Sequence, residues 1–228
     1  MRKPLPRNVQ SVAWVAVAVL GGMLGTPTVG LAQSADAVIL QQTGNLKPQE
    51  STHIFNGTAN QAVAIFMADA AFDGSLVLRG PDGAEVASNE DYGRSPDPTI
   101  VVRLPATGAY TIVARTAFGR EGGTYTVRVR EATAYDFAYA DGSTKFQQGD
   151  YAGAIASLRE AIRLDPDQPA PHLDLAEAIY AEATRLQPDE SRAIVEHYLR
   201  AADLYERQGN IEQATSLREQ ASYYEQQP

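Results

Sequence analysis

The side chains best equipped for chemistry form a set of oxygen donors: Asp73, Asp82, Asn89, Glu90 and Asp91. Hard cations such as Ca2+ take roughly six to eight oxygen ligands, and carboxylates, an Asn and backbone carbonyls supply them. Gathered at one end of a β-structure, Asp73, Asp82, Asn89 and Asp91 would make a calcium site. The same residue types are what turns select, because Asp and Asn tolerate unusual backbone angles and hydrogen-bond locally. The spacing is not that of an EF-hand loop, so turn chemistry is the first reading and calcium the second. The three histidines, His53, His172 and His197, are scattered, one in an alternating stretch and two in separate helical stretches. A catalytic histidine needs partners held in geometry. There is no cysteine, which excludes disulfides, thiolate metal sites and cysteine nucleophiles. Neither H-E-x-x-H nor G-x-S-x-G occurs, nor a glycine loop with a phosphate-binding lysine. A non-enzymatic protein is expected, with calcium as the one conceivable cofactor.

Charge narrows the partners. The 228 residues carry 19 bases and 28 acids. Arg2, Lys3 and Arg7 lie in a segment expected to be removed, leaving 16 bases against 28 acids, a net −12. Phosphate backbones and anionic membrane surfaces would repel such a chain, and no basic stripe offsets the repulsion. Residues 1–32 read as a signal peptide: a basic start, 13 apolar residues from Val12 to Leu24, and Gly30-Leu31-Ala32 before Gln33 as a small-x-small cleavage site. The apolar run is short for a bilayer span, which needs about 20 residues. The protein is therefore expected to be exported, to the periplasm or beyond, with no stable membrane span after cleavage.

Between Asp36 and Glu131 the hydrophobic period is two. Val63, Ile65 and Met67 form one alternating set, and Ile100, Val102 and Leu104 another. Tyr110, Ile112 and Ala114, then Tyr125, Val127 and Val129, continue the pattern. Alternate side chains of a strand share a face, so each set can line one core. Pro81-Asp82-Gly83, Gly108 and Gly122-Gly123 supply turns between the sets. About eight short strands with such punctuation predict a sandwich or barrel. The run from Phe72 to Leu78, Pro81-Asp82-Gly83, Ala87 to Asp91 and Leu104 to Ile112 resembles the bacterial pre-peptidase C-terminal (PPC) domain, as do Gly44-Asn45-Leu46 and His53-Ile54-Phe55. The resemblance implies a jelly-roll-like all-β sandwich over residues 33–131, of a kind found in secreted proteins.

After Glu131 the period becomes 3.6. Gly149-Asp150-Tyr151 turns a helical hairpin, and Ala154, Ile155, Leu158, Ala161 and Ile162 share a face of its second helix. Further helices are expected from about Pro171 to Leu186, from about Glu190 to Gln208, and from Ile211. Gly149-Asp150-Tyr151, Ala154, Leu158, Ala161 and Pro166 resemble the second half of a tetratricopeptide repeat (TPR). Gly142 fits the small residue of the first half, whose large flanking positions hold Ala138, Asp141 and Lys145. The resemblance implies an all-α repeat domain over 132–228: one good repeat, one degenerate repeat with a lengthened hairpin, and a capping helix. It also implies a peptide groove on the first helix, with Tyr139, Ser143, Phe146 and Gln147 as contacts. Aromatics at helical spacing also serve simply as core.

The whole is thus a two-part, multi-domain chain. Its expected function is that of an exported adaptor, binding a protein or peptide through the helices with the β-domain as a second binding or spacer module. Self-association is compatible with so short a solenoid. The alternative is a calcium- or glycan-binding envelope module acting through the β-domain loops.

Overall fold

The computed structural model describes residues 38–46, 50–68, 70, 72–90, 98–116 and 122–226. The expected signal peptide and Asp91 lie outside them. Eight strands come first: β1 (Val38–Asn45), β2 (Glu50–Gly57), β3 (Ala62–Ala68), β4 (Gly74–Arg79), β5 (Glu85–Asn89), β6 (Thr99–Arg103), β7 (Gly108–Thr116) and β8 (Thr124–Glu131). They form two antiparallel sheets, ordered β1-β8-β3-β6 and β2-β7-β4-β5. Only the β4–β5 hairpin joins neighbours within one sheet; every other connection crosses to the opposite sheet, as in a jelly roll. The hairpin turns where Pro81-Asp82-Gly83 predicts it, with Gly83 at φ +80°, a conformation that favours glycine.

The alternating residues set the register. Ile65 pairs with Ile100 on one side and Val129 on the other, while Ile112 pairs with His53 and Leu78 in the facing sheet. Their side chains meet between the sheets with Tyr110, Tyr125, Met67, Leu76 and Leu104, all buried. Each large aliphatic side chain removed from water here stabilises the fold by roughly 1.5–3 kcal/mol. Two polar groups inside this core are fully satisfied. The Tyr110 hydroxyl donates to the Ala106 carbonyl at 2.7 Å and accepts from its N–H at 3.1 Å, pinning the β6–β7 connection. His53 lies 2.9 Å from Gln42 Oε1 and 2.8 Å from the Tyr125 hydroxyl. A carbonyl oxygen only accepts, so His53 carries its proton on Nδ1 and takes the Tyr125 proton at Nε2. This chain ties β2 of one sheet to β1 and β8 of the other.

Five helices follow: α1 (Ala134–Gln147), α2 (Tyr151–Leu164), α3 (Pro169–Glu182), α4 (Pro188–Arg207) and α5 (Ile211–Glu225). Two of the turns are built alike. Gly149 (φ +79°) and Gly209 (φ +83°) end α1 and α4 in the left-handed conformation. The following residue, Asp150 or Asn210, donates its N–H back into the finished helix and caps the next one with its side chain. The third and fourth helices start and stop earlier than their periodicity suggests. Ala183 is already extended, at ψ 116°, and Pro188 forces Gln187 out of helical geometry while itself opening α4.

α1 and α2 approach closely because Gly142 has no side chain: a Cβ there would stand 2.8 Å from Leu158 Cγ. At two of the positions where the repeat pattern calls for large residues, Asp141 and Lys145 form a polar clamp instead. Lys145 Nζ lies 2.6 Å from Asp141 Oδ2, and the Ser157 hydroxyl of α2 donates to the same oxygen at 2.5 Å. The start of α1 is fixed to β8. Arg130 makes two hydrogen bonds to the buried Asp136 carboxylate, at 2.7 and 2.8 Å, while Thr133 and Asp136 form a capping box. Burial opposes the charge on Asp136, but Arg130 and the Thr133 backbone outweigh it and hold its carboxyl below the usual carboxylate range. Arg130 also lies over the Phe66 ring, and Arg103 over Phe137 of α1. Among the described residues no helix is long and apolar enough to cross a membrane.

Candidate interaction site

The described members of the acidic set do not gather as a group. Asp73 precedes β4, and Asn89, opposite Leu76, ends β5 near the same end of the hairpin. Asp82 sits in the turn at the other end, a whole strand away, where its carboxylate accepts from the Ala84 N–H at 3.0 Å. Asn89 accepts from the Thr99 N–H at 3.3 Å. These are turn and strand-end roles. Among the described residues no group of three or more His, Asp or Glu side chains is placed to hold a metal ion.

The expected groove residues on α1 divide. Tyr139 is only 4% exposed, stacked on Tyr135, and donates its hydroxyl to Asp174 Oδ2 at 2.7 Å, so it belongs to the interhelical core. Phe146 packs against the same core and meets the Tyr151 ring edge-on. Ser143 and Gln147 face the sandwich. With Ala140 and Thr144 they close a polar cleft of about 160 Å³ whose other wall is Ser88, Asn89 and Thr99 of β5 and β6. The β-sandwich therefore lies against this face of α1.

Two histidines read as isolated are in fact partners. His172 of α3 and His197 of α4 face one another with their Nδ1 atoms 3.1 Å apart, and His172 Nε2 points at the Pro166 carbonyl at 3.4 Å. That carbonyl assigns the His172 proton to Nε2, so His197 donates from Nδ1. Burial lowers the pKa of His172, and burial together with the His172 charge lowers that of His197 to about 4. Arg159 and Arg200 add to the opposition and Glu196 partly offsets it, so both rings are neutral at pH 7.

The most open aromatic surface lies at the other end of α3. α5 runs back along α4, bringing Tyr223 and Tyr224 level with the start of α4 and the end of α3. Tyr224 stacks on Tyr198 at 5.8 Å between ring centres, and meets Tyr180 and Tyr223 edge-on at 5.5 and 5.4 Å. The Tyr198 hydroxyl donates to Glu177 at 2.7 Å. Burial, with Tyr180 and Glu177 nearby, pushes the Tyr224 phenol up. Tyr180 and Tyr223 remain 52% and 62% exposed. Clefts open on both sides of Tyr224. One of about 550 Å³ is lined by Pro188, Val195 and Leu199, with Glu196 and Glu225. The other, of about 420 Å³, is lined by Tyr180, Ala181, Ala183, Leu186 and Tyr223. Large concave apolar surfaces with aromatic walls are where proteins hold ligands, and aromatic side chains contribute most per residue to such contacts. Sequence spacing misses this site because its four tyrosines come from three helices.

No curated protein matches the chain. Among solved structures, the pre-peptidase C-terminal domain of a collagenase from Bacillus anthracis is similar at 14% identity and a TM-score of 0.35, covering 40% of this chain and 89% of that one. A periplasmic inhibitor of g-type lysozyme from Aeromonas hydrophila is similar at 17% identity and a TM-score of 0.34, covering 41% and 85%. The helical part is matched by sequence: residues 142–182, from within α1 through α2 and α3, match the family model of the TPR repeat.

Proposed function

We propose that this protein is an exported, non-catalytic adaptor that holds a segment of another protein on its helical repeats, with the β-sandwich serving as a spacer or second contact. The repeat match supports interaction with proteins. The observation that carries the finer reading is the tyrosine surface of α3, α4 and α5, where exposed rings border one apolar cleft and a second, more polar one. It also moves the expected contacts away from α1, whose Tyr139 is buried and whose Ser143 and Gln147 face the sandwich.

Site-specific photocrosslinking in cells tests this. A photoreactive phenylalanine analogue at Tyr223 should trap a discrete protein adduct, and the same group at the exposed Ile54 of β2 should not. Adducts at neither position, or equal adducts at both, would remove the basis for the reading. Export is checked on the same material: N-terminal sequencing should begin at Gln33, and an intact Met1 would overturn that part.

A further inference from the structure

We infer that the tyrosine surface takes a cationic segment, one carrying an apolar side chain for the larger cleft beside Tyr224 and lysine or arginine next to it. The inference rests on the adaptor reading and adds the chemistry of its ligand.

The surface has two recognition elements. One is apolar: the larger cleft can take a side chain against Val195 and Leu199, and Tyr224 divides it from the smaller, more polar cleft where the rings of Tyr180 and Tyr223 stand. The other is electrostatic. Glu196 and Glu225 line the larger cleft; the base that lines it, Arg192, is already ion-paired with Asp189. From Pro169 to Gln226 the chain carries eleven acids and five arginines. Arg200 and Arg218 are held, like Arg192, in ion pairs. Arg207 ends α4 at its far end, and Arg185, in the α3–α4 linker, stands between two residues that line the smaller cleft and not the larger one. A ligand thus meets carboxylate at the larger cleft, across Tyr224 from the exposed faces of Tyr180 and Tyr223. Aromatic faces attract cations, more strongly as water is excluded, and complementary charge raises both encounter rate and selectivity. An anionic segment would be repelled by the same carboxylates.

The test uses the full chain and a short fluorescein-labelled peptide of alternating lysine, phenylalanine and leucine, with two relatives bearing serine or glutamate for every lysine. Binding is read by fluorescence anisotropy at near-physiological salt. The lysine peptide should bind about tenfold more tightly than the serine peptide, and the glutamate peptide most weakly. The paired exposed substitutions Tyr180→Ala and Tyr223→Ala should weaken the lysine peptide about tenfold. Glu196→Gln with Glu225→Gln should bring it to the level of the serine peptide. If the serine or glutamate peptide binds as tightly, with the same dependence on the tyrosines, the charge claim is overturned and the adaptor reading stands. If no peptide binds, or if the lysine peptide is indifferent to Tyr180 and Tyr223, the inference and the location of the adaptor surface are both overturned.

Discussion

The two halves of the described chain fill their interiors in opposite ways. Of the fifteen buried side chains in the sandwich core one is alanine, whereas in the helical core eight of seventeen are. Facing sheets stand about 10 Å apart, and only large side chains from both sides can span that gap. Helices that cross closely leave room for little more than a methyl group, and Ala154, Ala161, Ala176, Ala201 and Ala214 are all buried in the helical core. The sandwich should therefore be sensitive to losing volume and the helices to gaining it.

The largest expected effect comes from emptying the sandwich. Leu76→Ala should lower stability by about 3 kcal/mol through lost burial and the remaining cavity, read by chemical denaturation with circular dichroism. A loss under 1 kcal/mol would mean that the sheets collapse freely and the contrast is false. Ala201→Leu makes the converse change between helices and should cost about 2 kcal/mol by overpacking. A neutral outcome there would show slack in the helical core.

Acid sharpens the contrast further. Both halves bury neutral histidine, but the helical half buries a pair. Because the folded pKa values lie below the unfolded value of 6.5, the folded state binds fewer protons in this range. The stabilisation is complete above pH 6.5 and is lost as pH falls through the folded value of about 4 for His197. With solvent screening discounted, His197 accounts for on the order of 2 kcal/mol between those limits. His197→Gln should flatten the pH profile of the denaturation midpoint, and an unchanged slope would sink this account. Smaller again, Tyr110→Phe removes the hydroxyl bound to Ala106 and should cost about 1 kcal/mol. Asp141→Ala, at the exposed clamp, provides a near-neutral comparison within about 0.5 kcal/mol.

The strands were legible because alternation and turn residues agree: Val63, Ile65 and Met67 are buried as their spacing predicts, and Pro81-Asp82-Gly83 turns the hairpin. The helical turns were legible from Gly149-Asp150 and Gly209-Asn210. The interaction surface was not, because it is a tertiary product. Tyr180, Tyr198 and Tyr224 meet only once α5 has folded back along α4. The histidine pair left a faint trace: His172 lies thirteen residues before Arg185, in the α3–α4 linker, and His197 twelve after it, mirror positions in an antiparallel hairpin. Tyr139 misled because helical spacing alone does not distinguish a groove-facing aromatic from one whose hydroxyl is held by Asp174.

The join between the two halves has a mechanical consequence. Only Ala132 and Thr133 separate β8 from α1, and the bidentate Arg130–Asp136 pair spans that step. β8 is not a border strand; it runs between β1 and β3. A load applied to the helices therefore enters the sandwich at the end of β8, a strand held by two ladders of hydrogen bonds, to β1 and to β3. Whatever pulls on the helices is thus passed to the sandwich through one central strand.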